Sequence, residues 1–180
     1  MDNQTIKIEI EGHFLTQPIT KEILDKSIEI LNIVFNLTEF KNELSKQSFF
    51  CSNRPDLCTN NDEILGEKVY NDFISKTLIK INLTVKRLKN PWKRYISGTL
   101  GETNPNGNSI ISYTWWLNEK KGNELLIAYA THIGHEIFHT KYLKYIHEPE
   151  YGSSKFINEK DVTYMIDDIL EKLIRKHVNP

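Results

Sequence analysis

Two histidines four residues apart, in the segment His135-Glu136-Ile137-Phe138-His139, set the strongest limit on how this chain can fold. Four residues turn an α-helix by about 400°, so in a helix both imidazoles leave the same face, one turn apart. At that separation two ring nitrogens can share one tetrahedral Zn²⁺ ion. The spacing therefore predicts a helix that presents a metal-binding face to a cleft.

Glu136 lies beside His135, where its carboxylate can reach a water on the metal without binding the metal itself. Zinc lowers the pKa of such a water to ~7, and a nearby carboxylate can take its proton as the water attacks a peptide carbonyl. The same carboxylate can then return the proton to the leaving amine. This pattern favours a hydrolase with Glu136 as general base.

Apolar residues on the opposite flank indicate that this helix packs into the protein. They are Leu126, Ala130, Ile133 and Ile137. The competing interpretation is an amphipathic surface helix on which His135 and Glu136 have no special role. For His132, one turn earlier, a ligand role is less favoured than a place behind the ligands or on the surface, because ligands normally lie at or after the first histidine of the motif.

A catalytic zinc needs a third protein ligand besides water, and His147 is the first candidate. It lies eight residues after His139, so the chain has to turn between Tyr142 and Tyr145 to bring it back to the site. No glycine stands there to take a left-handed conformation at low cost. The main alternative is Glu159, and two further glutamates are nearby substitutes: Glu148 and Glu150.

The remaining patterns predict one domain, residues 1–180, in which strands and helices are mixed. Strict alternation of apolar and polar residues predicts strands over 5–11 and 78–86. Apolar residues at helical spacing predict four helices. These start near Pro18–Thr20, at Ile64, at Asn123 (running to about Lys144) and at Asn158, where Asp161 completes a capping box.

Two irregular stretches complete the chain. Residues 98–113 predict a loose hairpin with its turn at 104–108 and an edge strand at Ser109–Tyr113. Trp115 and Trp116 follow and either shape the rim of the cleft or pack on the site helix. The polar stretch 43–64 predicts a surface excursion, and its Cys51 and Cys58 form a local disulfide in an exported protein or remain two thiols in a cytosolic one.

Composition and charge narrow the function classes. Hydrophobic residues make up 39% and charged residues 26% of the chain, as in ordinary soluble globular proteins. A net charge of -1 provides no basic field for nucleic acid or an anionic membrane, and no apolar stretch is long enough to span a bilayer. The N-terminus lacks a secretory leader. We expect a secreted or periplasmic monomer whose leader has been removed, with a cytoplasmic protein as the alternative.

The stretch from about residue 60 to 175 resembles the zincin metallopeptidases, and more narrowly a group of small secreted bacterial metzincin-like peptidases. The matching segments are Glu67–Tyr70, Gly98–Tyr113, Ala130–His139 and Asp161–Met165. The resemblance implies an α+β, zincin-like fold. In such a fold, a small twisted mixed sheet with an antiparallel edge strand packs on a long helix and on the HExxH site helix.

The resemblance also implies a role for each site residue. His135, His139 and His147 would bind Zn²⁺, and Glu136 would be the base. Tyr164 would line the floor below the metal and donate a hydrogen bond to the oxyanion of the reaction.

Two departures from the family pattern stand out. Tyr142 takes the place of the motif's glycine, and Tyr145 takes the place of its third ligand, so His147 fits only with two extra residues. Met165 has no clear counterpart in a Met-turn and is interpreted as a core residue.

The leading hypothesis is a zinc endopeptidase acting on extended peptide or protein segments. In zincins the substrate lies antiparallel to an edge strand above the site helix, and Ser109–Tyr113 is the stretch predicted for that role. The alternatives are a catalytically degenerate zincin-fold binding domain, or a toxin or effector protease with a single protein target.

Overall fold

The structure, a computed structural model, describes residues 5–89, 100–147 and 160–178. Its helices and strands are, in chain order, β1 Lys7–Phe14, α1 Lys21–Val34, α2 Thr38–Ser45, β2 Ser48–Phe50, β3 Glu63–Leu65, α3 Gly66–Ile74, β4 Leu78–Lys86, β5 Gly101–Thr103, β6 Ser109–Tyr113, α4 Thr114–Leu117, α5 Gly122–His139 and α6 Val162–Val178. Two short 3-10 turns, Cys51–Asn53 and Pro55–Leu57, lie between β2 and β3. No helix of these three stretches is long and apolar enough to cross a membrane.

The main sheet is mixed, which confirms the predicted α+β class. Its strand order is β1-β4-β6-β5, with β1, β4 and β6 parallel and β5 antiparallel to β6. The predicted hairpin is present, but the predicted edge strand is wrong: among the strands of the described residues, β6 lies inside the sheet and β5 forms its edge. Strand β5 has only three residues, too few to show an alternating pattern. It is recognised as a strand by its pairing with β6, in which Glu102 lies opposite Ile111.

The strongly periodic segments fold as predicted. The four apolar residues on one face of β4 are almost completely buried: Ile79, Ile81, Leu83 and Val85. Helix α1 begins after Thr20, whose side chain accepts a hydrogen bond from the backbone of Ile23. This cap satisfies one of the amide groups that the first helical turn leaves without an intrahelical partner.

The prediction of a surface excursion over 43–64 is wrong. This stretch contains the end of α2 and the β2–β3 hairpin, and it contributes fully buried side chains to the core. Its apolar residues are few, but three of them are almost completely buried: Leu44, Phe49 and Ile64. Because the stretch contains few apolar residues, its sequence pattern did not predict that it packs beside the site.

Helix α5, which carries both histidines of the motif, crosses the centre of the molecule. It packs against α1 and α6 and is buried on nearly all sides, not only on the predicted flank. Gly134 permits the close approach of α6, because a Cβ at this position would overlap the side chain of Leu170. The surface-helix interpretation is therefore wrong for α5.

Two predicted helix boundaries are also wrong. Helix α5 ends at His139 rather than Lys144, because Thr140 takes an extended conformation. Helix α6 begins at Val162, where Asp161 accepts hydrogen bonds from the backbone and hydroxyl of Thr163. The predicted cap, Asn158, lies outside the described residues.

Candidate metal centre

Two of the three histidines of α5, His135 and His139, point their rings at one another. The Nε2 atoms of His135 and His139 are 3.1 Å apart. Two nitrogens bound at about 2.05 Å to a tetrahedral zinc lie about 3.3 Å from each other. The helix thus holds both atoms at nearly the separation that a shared ion requires.

His147 completes a group of three imidazoles. One ligand atom from each of His135, His139 and His147 can be chosen so that all lie within 4.8 Å of one another. The chain returns here because α5 stops at His139 and Lys144 takes a left-handed conformation, with φ 59°. This turn comes without glycine and starts earlier than predicted. The alternative ligands lie outside the described residues: Glu148, Glu150 and Glu159.

Hydrogen bonds fix the orientation of the His135 and His139 rings. His135 Nδ1 is 2.8 Å from Asp167 Oδ2, and His139 Nδ1 is 2.7 Å from the carbonyl oxygen of Tyr145. An acceptor at Nδ1 keeps the proton on that nitrogen and leaves the Nε2 lone pair free. Both rings are therefore held in the tautomer that binds a metal through Nε2.

The third ring is oriented in the same manner from the start of α6. His147 Nδ1 is 3.1 Å from Thr163 Oγ1 and 3.3 Å from Asp161 Oδ2. Asp161 is a strong acceptor: although burial works against it, hydrogen bonds from His147 and Thr163 lower its pKa to about 2. Three imidazoles that each have a hydrogen-bond partner at Nδ1 and present Nε2 match the donor set of a catalytic zinc site.

Burial also keeps His139 neutral. It lowers the pKa of this imidazole to about 3, and the neighbouring His135 and His147 act in the same direction. A metal ligand has to be unprotonated to bind, so the site needs little proton release from this ring near neutral pH.

Glu136 lies on the same helix but faces strand β5. Its side chain is only 9% exposed, and its Oε2 accepts a hydrogen bond of 2.5 Å from the Thr103 hydroxyl. Burial raises the pKa of this carboxyl, while the charge of His135 and the Thr103 bond oppose the rise. The carboxylate is thus a fixed acceptor beside the histidine cluster, with a pKa moved toward the range useful for a base.

His132 lies outside the cluster of three, and it is not exposed. Its Nδ1 is 3.8 Å from Glu136 Oε1, and its ring meets the edge of Trp116. Burial lowers its pKa to about 3, so the ring is neutral. Its Nε2 has no hydrogen-bond partner among the described residues, and the ring packs on Gly101.

Tyr164 stands on the other side of the cluster, in the first turn of α6. Its ring centre is 4.8 Å from that of His147 and 5.9 Å from that of His135. Burial raises the pKa of its hydroxyl, which therefore stays protonated as a hydrogen-bond donor. The next residue, Met165, is half-buried against the core and offers no separate Met-turn.

Asp167 and Thr103 are functional candidates that the sequence patterns did not reveal. Their partners lie 32 and 33 residues away in the chain, so no local spacing points to them. Asp167 shares a helical face with Tyr164, three residues earlier. That relation could have suggested Asp167 once Tyr164 was placed near the site.

A cleft of about 720 Å³ opens over the cluster. Its walls include Leu100 and Gly101 at the edge strand, Trp116 from α4, and Thr131 from α5. Site residues form its floor: His135, Glu136, His147 and Tyr164. A space of this size is typical of ligand and substrate pockets.

The chain matches no protein-family model, no curated protein and no solved structure. These comparisons therefore identify neither a family nor an activity.

Proposed function

We propose that this protein is a zinc-dependent endopeptidase with a zincin-like arrangement of its site helix and sheet. One observation carries the proposal. Three imidazoles converge, each with a hydrogen-bond partner at Nδ1, and the buried carboxylate of Glu136 lies beside them at the floor of an open cleft. The residues His135, His139 and His147 would hold the ion. Bound there, zinc would polarise the substrate carbonyl and make water acidic enough to attack it.

Glu136 would move the protons of the reaction. The Thr103 hydroxyl holds Oε2, which leaves Oε1 to accept a proton from the attacking water. Because burial raises the pKa of this carboxyl, it can hold the proton and then donate it to the leaving nitrogen as the C–N bond breaks. Tyr164, protonated and beside His147, would donate to the oxyanion that forms on the carbonyl carbon.

The substrate would lie along β5 rather than β6. Among the described residues β5 pairs only with β6, and Thr103 on this strand reaches Glu136. A peptide that adds to the free side as another strand would pass directly over the cluster, with alternate side chains facing the cleft. An extended peptide segment is thus the proposed substrate class.

The structure bears on the two alternatives in different ways. The reasons to consider a non-catalytic zincin-fold domain are the missing glycine and the irregular spacing of His147, but Lys144 takes a left-handed conformation without glycine. The irregular spacing of His147 therefore no longer argues against a working site. A protease with a single target would use the same residues and differ only in its substrate.

An exported location belongs to the proposal as well. Cys51 and Cys58 form a disulfide. Bonds of this kind persist in secreted and periplasmic proteins and are rare in the cytosol.

The test compares Glu136→Ala with His135→Ala in the full chain. Glu136→Ala is expected to keep stoichiometric zinc by elemental analysis and to lose hydrolysis of a peptide library. His135→Ala is expected to lose both. Undiminished hydrolysis by Glu136→Ala would refute the mechanism. Wild-type protein that does not bind zinc at micromolar concentrations would refute the metal site.

A further inference from the structure

We propose that Asn53, in the disulfide-closed loop Cys51–Cys58, is the positioning residue for the third metal ligand, His147. The inference rests on the proposed zinc site and concerns how that site is assembled. His135 and His139 are placed by helix α5 itself. His147 belongs to a segment without helix or strand, so other parts of the molecule have to hold it in place.

Asn53 forms hydrogen bonds with both backbone polar groups of Ile146, the residue before His147. The backbone amide of Ile146 donates to the carbonyl oxygen of Asn53 at 3.0 Å, and the Asn53 side-chain amide donates to the carbonyl oxygen of Ile146 at 2.8 Å. Asn53 is completely buried, so its own ends of these bonds are shielded from water. The backbone of Ile146 is thus fixed from both of its polar groups.

The same side chain also holds the start of α6. Its Oδ1 accepts a hydrogen bond from the Val162 amide at 3.2 Å, and its Nδ2 lies 3.3 Å from Asp161 Oδ2. Asp161 is in turn a partner of His147 Nδ1. One buried amide therefore joins the segment that carries the third ligand to the group that orients its ring.

The loop around Asn53 is anchored in two further ways. Cys51 and Cys58, seven residues apart, close it covalently. Arg54 donates to the carbonyl oxygen of Leu143 and pairs with Asp72 at 3.1 Å. Leu143 directly precedes Lys144, whose left-handed conformation turns the chain toward the site. The loop thus supports both the turn and the segment after it.

The experiment measures zinc affinity of the full chain by competition with a chromophoric chelator. Asn53→Ala is expected to weaken zinc binding about 10- to 100-fold, the usual effect of removing a group that orients a ligand. Asn32→Ala is the matched control, because Asn32 makes the same pair of bonds away from the site. Its side-chain oxygen accepts from the Ile8 amide at 2.7 Å, and its side-chain nitrogen donates to the Ile8 carbonyl oxygen at 3.0 Å. The zinc affinity of Asn32→Ala is expected to stay within about threefold of wild type.

A double-mutant cycle separates positioning from general damage. If Asn53 acts through His147, Asn53→Ala is expected to cause almost no further loss of zinc affinity in a His147→Ala background. An equal loss in both backgrounds would overturn the inference, as would equal affinities of Asn53→Ala and Asn32→Ala. If Asn53→Ala does not fold by circular dichroism, Asn53→Ser, which keeps one hydrogen-bonding group, replaces it in the same cycle.

The visible spectrum of the cobalt-substituted protein gives a second readout. Intense d–d bands are expected for wild type, and weaker bands for Asn53→Ala, as the third imidazole leaves the ion. Wild-type protein that binds neither metal would refute the proposed function together with this inference. Wild-type binding with an unchanged Asn53→Ala spectrum would refute the inference alone.

Discussion

The carboxylate of Asp167 lies 2.8 Å from Nδ1 of His135, across the contact between α5 and α6. This hydrogen bond fixes the ring of His135, the first proposed ligand, and connects α6 to the proposed metal site. A carboxylate at this position also makes the opposite nitrogen of the ring a better donor to a metal.

Replacing Asp167 by alanine is expected to weaken zinc binding about 10- to 100-fold and to lower hydrolysis, because His135 loses its orienting partner. Asp168→Ala, at the exposed neighbouring position, is the control and should leave affinity near wild type. Both values come from chelator competition. Equal affinities in the two variants would contradict a role for Asp167 at the site.

Thr103→Val is expected to keep zinc and to lower kcat about tenfold or more, since a hydrogen bond to a charged group contributes about 1.5–3 kcal/mol. The variant removes the hydroxyl that holds Glu136 Oε2 while preserving the shape of a strand residue. Thr103→Ser, which keeps the hydroxyl, should retain most of the activity. Loss of zinc in Thr103→Val would instead indicate damage to the metal site.

Replacing Cys51 and Cys58 together by serine is expected to lower the free energy of unfolding of the zinc-free protein by about 2 kcal/mol, the scale for opening a short covalent loop. Urea unfolding in the presence of a chelator measures this change. Zinc affinity should fall as well, because the loop supports the segment before His147. Unchanged affinity would mean that the hydrogen bonds hold the loop without the disulfide.

Acid is expected to destabilise the zinc-free protein partly through His132. Burial lowers its pKa from 6.5 to about 3, so between these values the unfolded chain binds a proton that the folded chain does not. Stability is therefore lost as pH falls from about 6.5 toward 3. In His132→Asn, the slope of stability against pH in this window should be smaller.

Urea unfolding at several pH values between 6.5 and 4 measures that slope. His177→Asn is the control, because His177 is exposed at the end of α6. If His132→Asn and wild type have the same slope, His132 does not make this contribution.

Much of the fold could be predicted from local patterns. Alternation marked β4, helical spacing marked α1, and Thr20 marked the start of that helix. The edge position of β5 and the hairpin near Phe49 were not predicted, because strands of three residues carry almost no periodic signal. Those elements exist through pairing and burial, which depend on distant parts of the chain.

The sequence by itself determined that His135 and His139 lie on one helical face with Glu136 between them. That relation follows from the pitch of a helix and needs only neighbouring residues. The tertiary structure alone decided where His147 lies and which nitrogen each of the three imidazole rings turns toward the proposed metal site. Those positions depend on Asn53, 93 residues from Ile146, and on contacts between α5 and α6. Such contacts form only when the chain packs, and no spacing along it encodes them.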